Sequence, residues 1–560
     1  MRMIYNSKYS VIDKNISDCQ MGARKGKGCK TNIWMINGLI HETLHNKKKK
    51  PIVLQIYDYK QMFDSVNLQE AISDIYDYGL KDNNLSLIHL ANEEVQMAVK
   101  TSGGLTDRQV IKNSVLQGDT WGSILASVQV DAIAKDVVEA DLGYLYKENL
   151  PVSILGLVDD IIGVSEAGFK AQQMNVILNV KSAEKCLQFG VNKCKTMIIG
   201  KKCESVVHNK LFVDGWKEEY VENLESGEMD LVEKYIGEVA LEEVTEQKYL
   251  GFVISSSGNN MANIQAMEKK SIGVIRTVMN KLESLKLRHY YFECAIIFMN
   301  TILRGSILYG GECYYNLTES QIRRIERIEE NYLRKVLKTT RGCPIVQIYL
   351  ECGQWPARFE LQKMRCLFLK QILKQDEQSQ VYKFFQLQLN EPVKGDWVST
   401  CLGDLKQFKI FETLDEIKIM SENKFSGLLK TGIKENALEY LLLRQGSKGQ
   451  GINYSRLEMS EYLLPYNTKL DIAEKRKLFE LKNQMTQIPS NFGNKNEKCL
   501  CGAEENMSHI YSCHQLNEKK ESISFEELDN GKLKDQIEIL SRFELNMEKR
   551  KQLKDLEKEN

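Results

Sequence analysis

Over the first 200 residues, short apolar runs alternate with longer stretches whose apolar positions recur every three or four residues. Ile52 to Tyr57, Ile154 to Val158 and Thr196 to Ile199 are β-rich runs. Between them, Trp121 to Ala140 places Ile124, Leu125, Val128, Ile133 and Val137 at helical spacing. The alternation predicts an α+β or α/β domain. Lys248 to Ile254 predicts one more short strand, closed by Ser255 to Gly258. Beyond it the texture is helical, from Met261 to about Leu373 and through much of Asn390 to Met485. Glu518 to Asn560 is highly charged and nearly free of aromatics, which predicts a solvated helix or a disordered tail. No fixed-period repeat is visible, so solenoids and propellers are set aside.

Composition narrows this picture. The 560 residues allow about three or four domains, and with only 7 Pro few extended linkers are expected. The 14 Cys are scattered, as free thiols in a reducing compartment would be, except for one late cluster. No run approaches the roughly 20 apolar residues of a membrane span, and the N-terminus lacks the apolar stretch of a signal peptide. A soluble, intracellular protein with no membrane partner is expected. Net charge is zero, yet Glu204 to Glu246 holds 13 acidic residues against 3 Lys, leaving the rest of the chain basic. The basic patches include Arg24, Lys25, Lys27 and Lys30, then Lys47 to Lys50, then Arg323 to Lys338. Each alone reads first as a solvated face.

Two segments put aspartates in apolar surroundings. A mostly apolar strand ends at Asp58, with Asp64 following Phe63. Ile154 to Val164 is two apolar runs hinged on Asp159-Asp160, simplest as a β-hairpin with carboxylates at its turn. Two like charges there are costly unless a cation neutralises them. If the hairpin pairs beside the first strand, Asp58 and Asp159 can share hard divalent ions such as Mg²⁺, two of which form a clamp for phosphoryl transfer. The other reading is a polar turn. Between the segments lies Val115 to Ser123, a loop with Gly118 and Gly122. After them come Phe189 to Met197, with lysines beside a strand, and Tyr249-Leu250-Gly251.

From about Cys19 to Cys513 these strings resemble, in order, the reverse transcriptase of non-long-terminal-repeat retrotransposons, the long interspersed element class. Gln20 to Cys29 is similar to that family's Q-x-G-x-R-x-G-R/K-x-S/T/C segment entering the fingers, and Asp58 to Asp64 to its D-x4-F-D palm motif. Gln117-Gly118-Asp119, Val158-Asp159-Asp160, Lys195-Thr196 and Tyr249-Leu250-Gly251 resemble the Q-G-D/C loop, the x-D-D core, the K-T motif and the primer grip. Arg304 to Glu312 resembles the segment after the palm.

The resemblance implies a right-hand polymerase of α+β class. Partial fingers would span 1–50, a palm 51–203, an acidic insertion and primer-grip strand 204–260, and a helical thumb 261–375. A helical C-terminal region would span 376–490, a zinc knuckle 491–517 and a charged tail 518–560. The implied activity is RNA-templated DNA synthesis from a primer 3′-hydroxyl with two Mg²⁺. Asp58, Asp159 and Asp160 would hold the metals, and Lys195 would stand near the triphosphate as a general acid. Phe63 would reject ribonucleotides, or else serve core packing. Gln117 and Gly118 would meet the templating pair, Arg24 and Lys25 the substrate, and Tyr249, Leu250 and Gly251 the primer. RNA template, DNA primer or target and deoxynucleoside triphosphates are the implied partners, in a ribonucleoprotein of nucleus and cytoplasm. Leu157 and Val158 depart from the family's usual aromatic and alanine. About 19 residues precede Gln20, too few for the basic finger strands. That departure raises three expectations: a truncated copy, another chain supplying those parts and the endonuclease, or a catalytically inactive nucleic-acid-binding remnant. RNA-templated RNA synthesis and intron splicing are further rivals, against which Phe63 and the late cysteine cluster count.

That cluster is Cys499, Cys501, His509 and Cys513, a C-x-C-x7-H-x3-C spacing with the inventory of a tetrahedral structural Zn²⁺ site, or of loosely packed thiols. In the resembled elements such a knuckle accompanies RNA binding. Farther back, Gln321 to Arg334 places Ile322, Ile325, Ile328 and Tyr332 on one helical face with arginines beside them. It reads equally as a thumb helix along a duplex and as a salt-bridged surface helix.

Overall fold

A computed structural model describes residues 2–45, 50–81, 83–93, 95–111, 115, 119, 121–200, 210–212, 216–222, 229–235, 238–287, 289–339, 343–446, 471–482, 498–499, 501–504, 507–516 and 533–559. Strands β1 (Ile52–Tyr57), β2 (Ile154–Leu157), β3 (Asp160–Ser165), β4 (Lys195–Ile199) and β5 (Glu242–Glu243) form one sheet in the order β5-β4-β1-β3-β2. All neighbours are antiparallel except β4 and β5.

Strand β1 is buried along its whole length, which explains its unbroken apolar run: both faces of the sheet are covered. Ile52, Leu54 and Ile56 join Ile162, Val164, Met197 and Ile199 in one core. Tyr57 and Ile161 belong to the other, with Ile124 and Leu125 of helix Gly122–Glu139 and Met174 and Leu178 of helix Gly168–Glu184. Period-two alternation therefore divides the strands between two cores. Gln55 of β1 donates from Nε2 to Asn175 Oδ1 at 2.8 Å, which also accepts from the Tyr57 hydroxyl.

Helix Cys29–His45 lies in the first core and ties the sheet to the helical half. Its fully buried Trp34 ring packs edge-on against Phe384, Trp397 and Phe368, at centroid distances of 5.1, 5.4 and 5.9 Å. The helical half includes helices Met261–Ser284, Glu319–Leu337, Ala357–Leu373, Gln380–Asn390, Trp397–Gln407 and Glu422–Gly446. Helix Glu319–Leu337 opens with a Thr318/Gln321 capping box and buries Ile325, Ile328 and Tyr332, the face its spacing predicts. Its neighbouring arginines are engaged within the protein: Arg323 with Glu326 and Glu330, and Arg324 with Glu268. For those two the salt-bridged reading holds, while Arg327 is exposed.

Two expectations need correcting. Lys248 to Ile254 is not one strand but a hairpin of Glu246–Tyr249 and Phe252–Ser255, because Leu250 and Gly251 sit at φ 48° and 82° and reverse the chain. The acidic stretch supplies the edge strand of the sheet, Glu242–Glu243, in register with Lys195 and Thr196. Within that stretch Lys210–Phe212 pairs with Glu238–Ala240, and Trp216–Glu222 with Met229–Tyr235. The charged C-terminus contains helix Leu533–Glu559, and this helix is not wholly solvated. Ile539, Leu540 and Phe543 pack with Leu478, Leu481, Ile510 and Tyr511 in a small third core. Among the described residues no helix is long and apolar enough to cross a membrane, and no cysteine is in a disulfide.

The aromatic contact around Trp34 should dominate cohesion between the sheet and the helical half. Phe384→Ala is expected to cost about 3–5 kcal/mol in urea unfolding. The exposed control Phe411→Ala should stay within about 0.5 kcal/mol of wild type.

Candidate active site

Strand register assembles the site. Tyr57 pairs with Ile161, so one residue further Asp58 leaves β1 beside Asp160, where β3 begins. Leu157 pairs with Asp160, so Val158 and Asp159 form the two-residue turn of the β2–β3 hairpin. All three carboxylates are half-buried. Asp159 is held above the usual carboxylate range by burial and by Asp58. Burial, then Asp159 and Asp58, push Asp160 up to about 6. An all-oxygen cluster in which Asp159 and Asp160 carry raised proton affinity is a donor set that fits a hard divalent ion.

The turn itself is strained. Val158 has φ 58°, a left-handed conformation that a β-branched residue adopts at a cost of about 1–3 kcal/mol. Gln20 holds it there. The buried Gln20 side chain donates from Nε2 to the Val158 carbonyl at 3.1 Å and accepts from the Val158 N–H at 2.8 Å. Its Oε1 also accepts from the Gly22 N–H at 2.8 Å. Gly22 is required for this approach, since a Cβ there would meet the Val158 nitrogen at 2.5 Å. Backbone bonds from Met21 to Gly156 and from Gly156 to Cys19, at 2.8 and 2.7 Å, bind the same segment to β2.

The other predicted residues fall as follows. Arg24 is turned inward: its guanidinium meets Asp13 at 2.7 Å and the carbonyls of Ser17, Gln20 and Asp13, bracing the Gln20 segment. Lys25 is exposed. Phe63 is half-buried against the second core, and its carbonyl accepts from Val115 N–H at 3.0 Å. Gln117 and Gly118 lie outside the described residues. Tyr249 is buried in the first strand of its hairpin, with its hydroxyl 3.4 Å from the Leu155 carbonyl of β2. Leu250 offers its carbonyl to Tyr309 at 2.8 Å, and the Tyr309 ring would lie 3.1 Å from a Cβ at Gly251.

Lys195 pairs with Glu242 at 2.6 Å, across the β4–β5 register. The lysine at the carboxylates is Lys193, 3.0 Å from Asp58 Oδ2. A 3₁₀ turn, Val191–Lys193, carries it there. Sequence reading missed Lys193 and gave Gln20 no role. Gln20 opened a quoted motif, but a buried glutamine bonding to a turn 138 residues away leaves no local signal.

A second constellation lies in the third core. The ligand atoms of Cys499, Cys501, His509 and Cys513 all fall within 4.8 Å of one another. The Cys499 and Cys513 sulfurs are 3.7 Å apart, and Cys501 Sγ lies 3.1 Å from His509 Nε2. Gly502, at φ 86°, closes the turn, with its N–H on the Cys499 carbonyl at 2.7 Å. Three sulfurs and an imidazole converging in this way fit zinc. From helix Leu533–Glu559, Asn546 reaches the carbonyls of Ile510 and Tyr511 at 3.0 and 3.1 Å, docking that helix on the ligand-bearing segment.

Residues 1–254 match the family model described as reverse transcriptase (RNA-dependent DNA polymerase), and this part of the chain carries a reverse transcriptase domain. Solved structures that match it include telomerase from Candida tropicalis in complex with a TWJ fragment of telomeric RNA. It is 12% identical with a TM-score of 0.31, over 77% of this chain and 56% of that one. The corresponding complex from Candida albicans is 11% identical with a TM-score of 0.31, over 69% and 60%. The chain thus spans about half the length of the solved structures it matches. No curated protein matches it.

The Gln20 clamp gives a test independent of activity. Gln20→Ala should destabilise the hairpin by about 1–3 kcal/mol and speed hydrogen–deuterium exchange at Val158. Adding Val158→Gly, which relieves the left-handed strain, should recover part of that loss.

Proposed function

We propose that this chain is an RNA-directed DNA polymerase of a non-long-terminal-repeat retrotransposon, extending a primer 3′-hydroxyl along an RNA template. The observation that carries the reading is the convergence of Asp58, Asp159 and Asp160 at the end of one sheet, within the segment that matches the reverse transcriptase family. Asp58 and Asp159, with Asp160 beside them, are the residues to hold Mg²⁺. Ions bound there supply positive charge for in-line phosphoryl transfer. The protein's own part is to fix the carboxylates through the β1–β3 register and the Gln20 clamp, and so to hold them in their metal-binding arrangement.

Lys193 supplies a positive charge at Asp58, on the side where a triphosphate would approach. Lys195 takes the role of proton donor only by leaving Glu242. The Leu250-Gly251 turn supports the primer, and Phe63 beneath the incoming sugar selects deoxynucleotides. A groove of about 680 Å³ between helices Met261–Ser284 and Glu319–Leu337, lined by Arg276, Lys335 and Lys338, suits the phosphates of the template–primer duplex. The cysteine–histidine site binds structural zinc in an RNA-binding knuckle. The polymerase works in a ribonucleoprotein of nucleus and cytoplasm.

Primer extension on a homopolymeric RNA template with Mg²⁺ and deoxynucleotides tests the central claim. Wild type should extend and Asp159→Ala should fall by at least about 10³-fold. Soluble wild type that binds the primer–template yet never extends it would refute the polymerase reading. In the same assay Phe63→Ala should begin to incorporate ribonucleotides, and continued refusal would remove Phe63 from its role.

Metal analysis tests the second site: wild type should carry one zinc per chain and Cys501→Ser should lose it. Proteolysis should then cut around Cys499 to Cys513, because small sites of this kind fold with their metal.

A further inference from the structure

A cavity of about 720 Å³ opens where helix Cys29–His45 begins, between that helix end and the segments around Arg304 and Trp355. It is separate from the carboxylate cluster but shares a wall with the Tyr249 hairpin: Tyr309 lines it and donates to the Leu250 carbonyl.

Its chemistry is that of an anion site with an aromatic side. Lys27, Lys30, Arg304 and Lys363 line it against two carboxylates, Glu312 and Glu360. Lys27 is paired with Asp18, Arg304 with Glu329, and Lys363 with Glu360, at 2.8, 2.7 and 3.2 Å. Lys30 is less committed: its side chain is 41% exposed and stands 3.8 Å from Glu312. It also sits in the first turn of a 17-residue helix, whose dipole favours an anion and where the Thr31 and Asn32 N–H groups donate to the Gly28 carbonyl. Independently, Glu312 is buried with Oε2 unpartnered among the described residues, and burial raises its proton affinity. Tyr309 and Trp355 also line the cavity. The cavity has room at Gly305, where an added Cβ meets no atom within 4 Å.

We propose that this cavity holds one nucleotide of the nucleic-acid strand that crosses the Leu250-Gly251 turn, with its phosphodiester at Lys30 and the helix N-terminus and its base or sugar against Tyr309. The proposal deepens the polymerase reading and rests on it for the identity of the strand.

The test is equilibrium binding of the full chain to a fluorescent DNA primer on an RNA template, over a salt series, with extension measured in parallel. Lys30→Gln should weaken binding about three- to tenfold and lower the salt slope by about one phosphate contact. Gly305→Leu adds bulk at the cavity wall, where a Cβ meets no atom within 4 Å, and should weaken binding severalfold. Gly403→Leu makes the same change where again no atom lies within 4 Å, away from the cavity, and should bind as wild type. If Lys30→Gln and Gly305→Leu bind as tightly as wild type with an unchanged slope, the cavity is not a nucleotide site. Equal weakening by Gly403→Leu would likewise overturn it. Variant-sensitive binding without extension by wild type would leave the site standing and refute the polymerase activity. Wild type that does not bind the primer–template would overturn both.

Discussion

Gathering three carboxylates at one half-buried sheet end is the constraint on which this structure turns. Like charges brought together there repel, and burial adds to the cost. The repulsion appears in the molecule as raised proton affinity at Asp159 and Asp160. Folding must overcome it with interactions that do not depend on those side chains. The sheet provides them: β1 lies between β4 and β3, fully buried, with an apolar core on either face. The strand that ends at Asp58 is therefore the least movable in the domain. A hairpin carrying two charges at its tip is fixed in turn by Gln20, which reaches it from a segment far earlier in the chain.

The same reasoning explains the helical half. Helix Cys29–His45 contributes Trp34 to an aromatic group drawn from three later helices, so the sheet and the helical half share one core. Inside that half the fully buried Glu329 is matched by Arg304 at 2.7 Å, with Gln354 and the Trp355 carbonyl completing the guanidinium's bonds. A buried pair is weak evidence for stability but strong evidence for register, because either charge left alone is costly. Arg304 thereby fixes the segment leading to Tyr309, which supports the Leu250-Gly251 turn.

Much of this was legible in the sequence. Apolar runs located β1, β2 and β4, helical spacing located Gly122–Glu139, and the Asp159-Asp160 hairpin followed from two apolar runs with a polar hinge. What failed to show was set by long-range pairing. The Tyr249 segment read as one strand because Leu250 is apolar and its left-handed backbone leaves no mark on hydropathy. Lys193 and Lys195 are indistinguishable as letters; a 3₁₀ turn and the arrival of Glu242 at the sheet edge decide which reaches Asp58. The C-terminal helix read as solvated because its charged residues outnumber the few, Ile539, Leu540, Phe543 and Asn546, that dock it.

The two turns of the candidate active site are also coupled to each other. The carboxylate hairpin and the Leu250-Gly251 hairpin both rely on left-handed backbone, at Val158 and at Leu250 and Gly251. Asn32 of helix Cys29–His45 lies between them, with Nδ2 3.0 Å from the Gly156 carbonyl and 3.4 Å from the Tyr249 hydroxyl. That hydroxyl in turn faces the Leu155 carbonyl. These groups are buried, so breaking the network leaves polar atoms without water to replace their partners. The distance between the turn that presents the carboxylates and the turn beneath the proposed primer end is therefore held by a buried polar triangle rather than by loop stiffness. In such an arrangement any motion that admits nucleic acid must come from the surrounding segments, while these two turns move together.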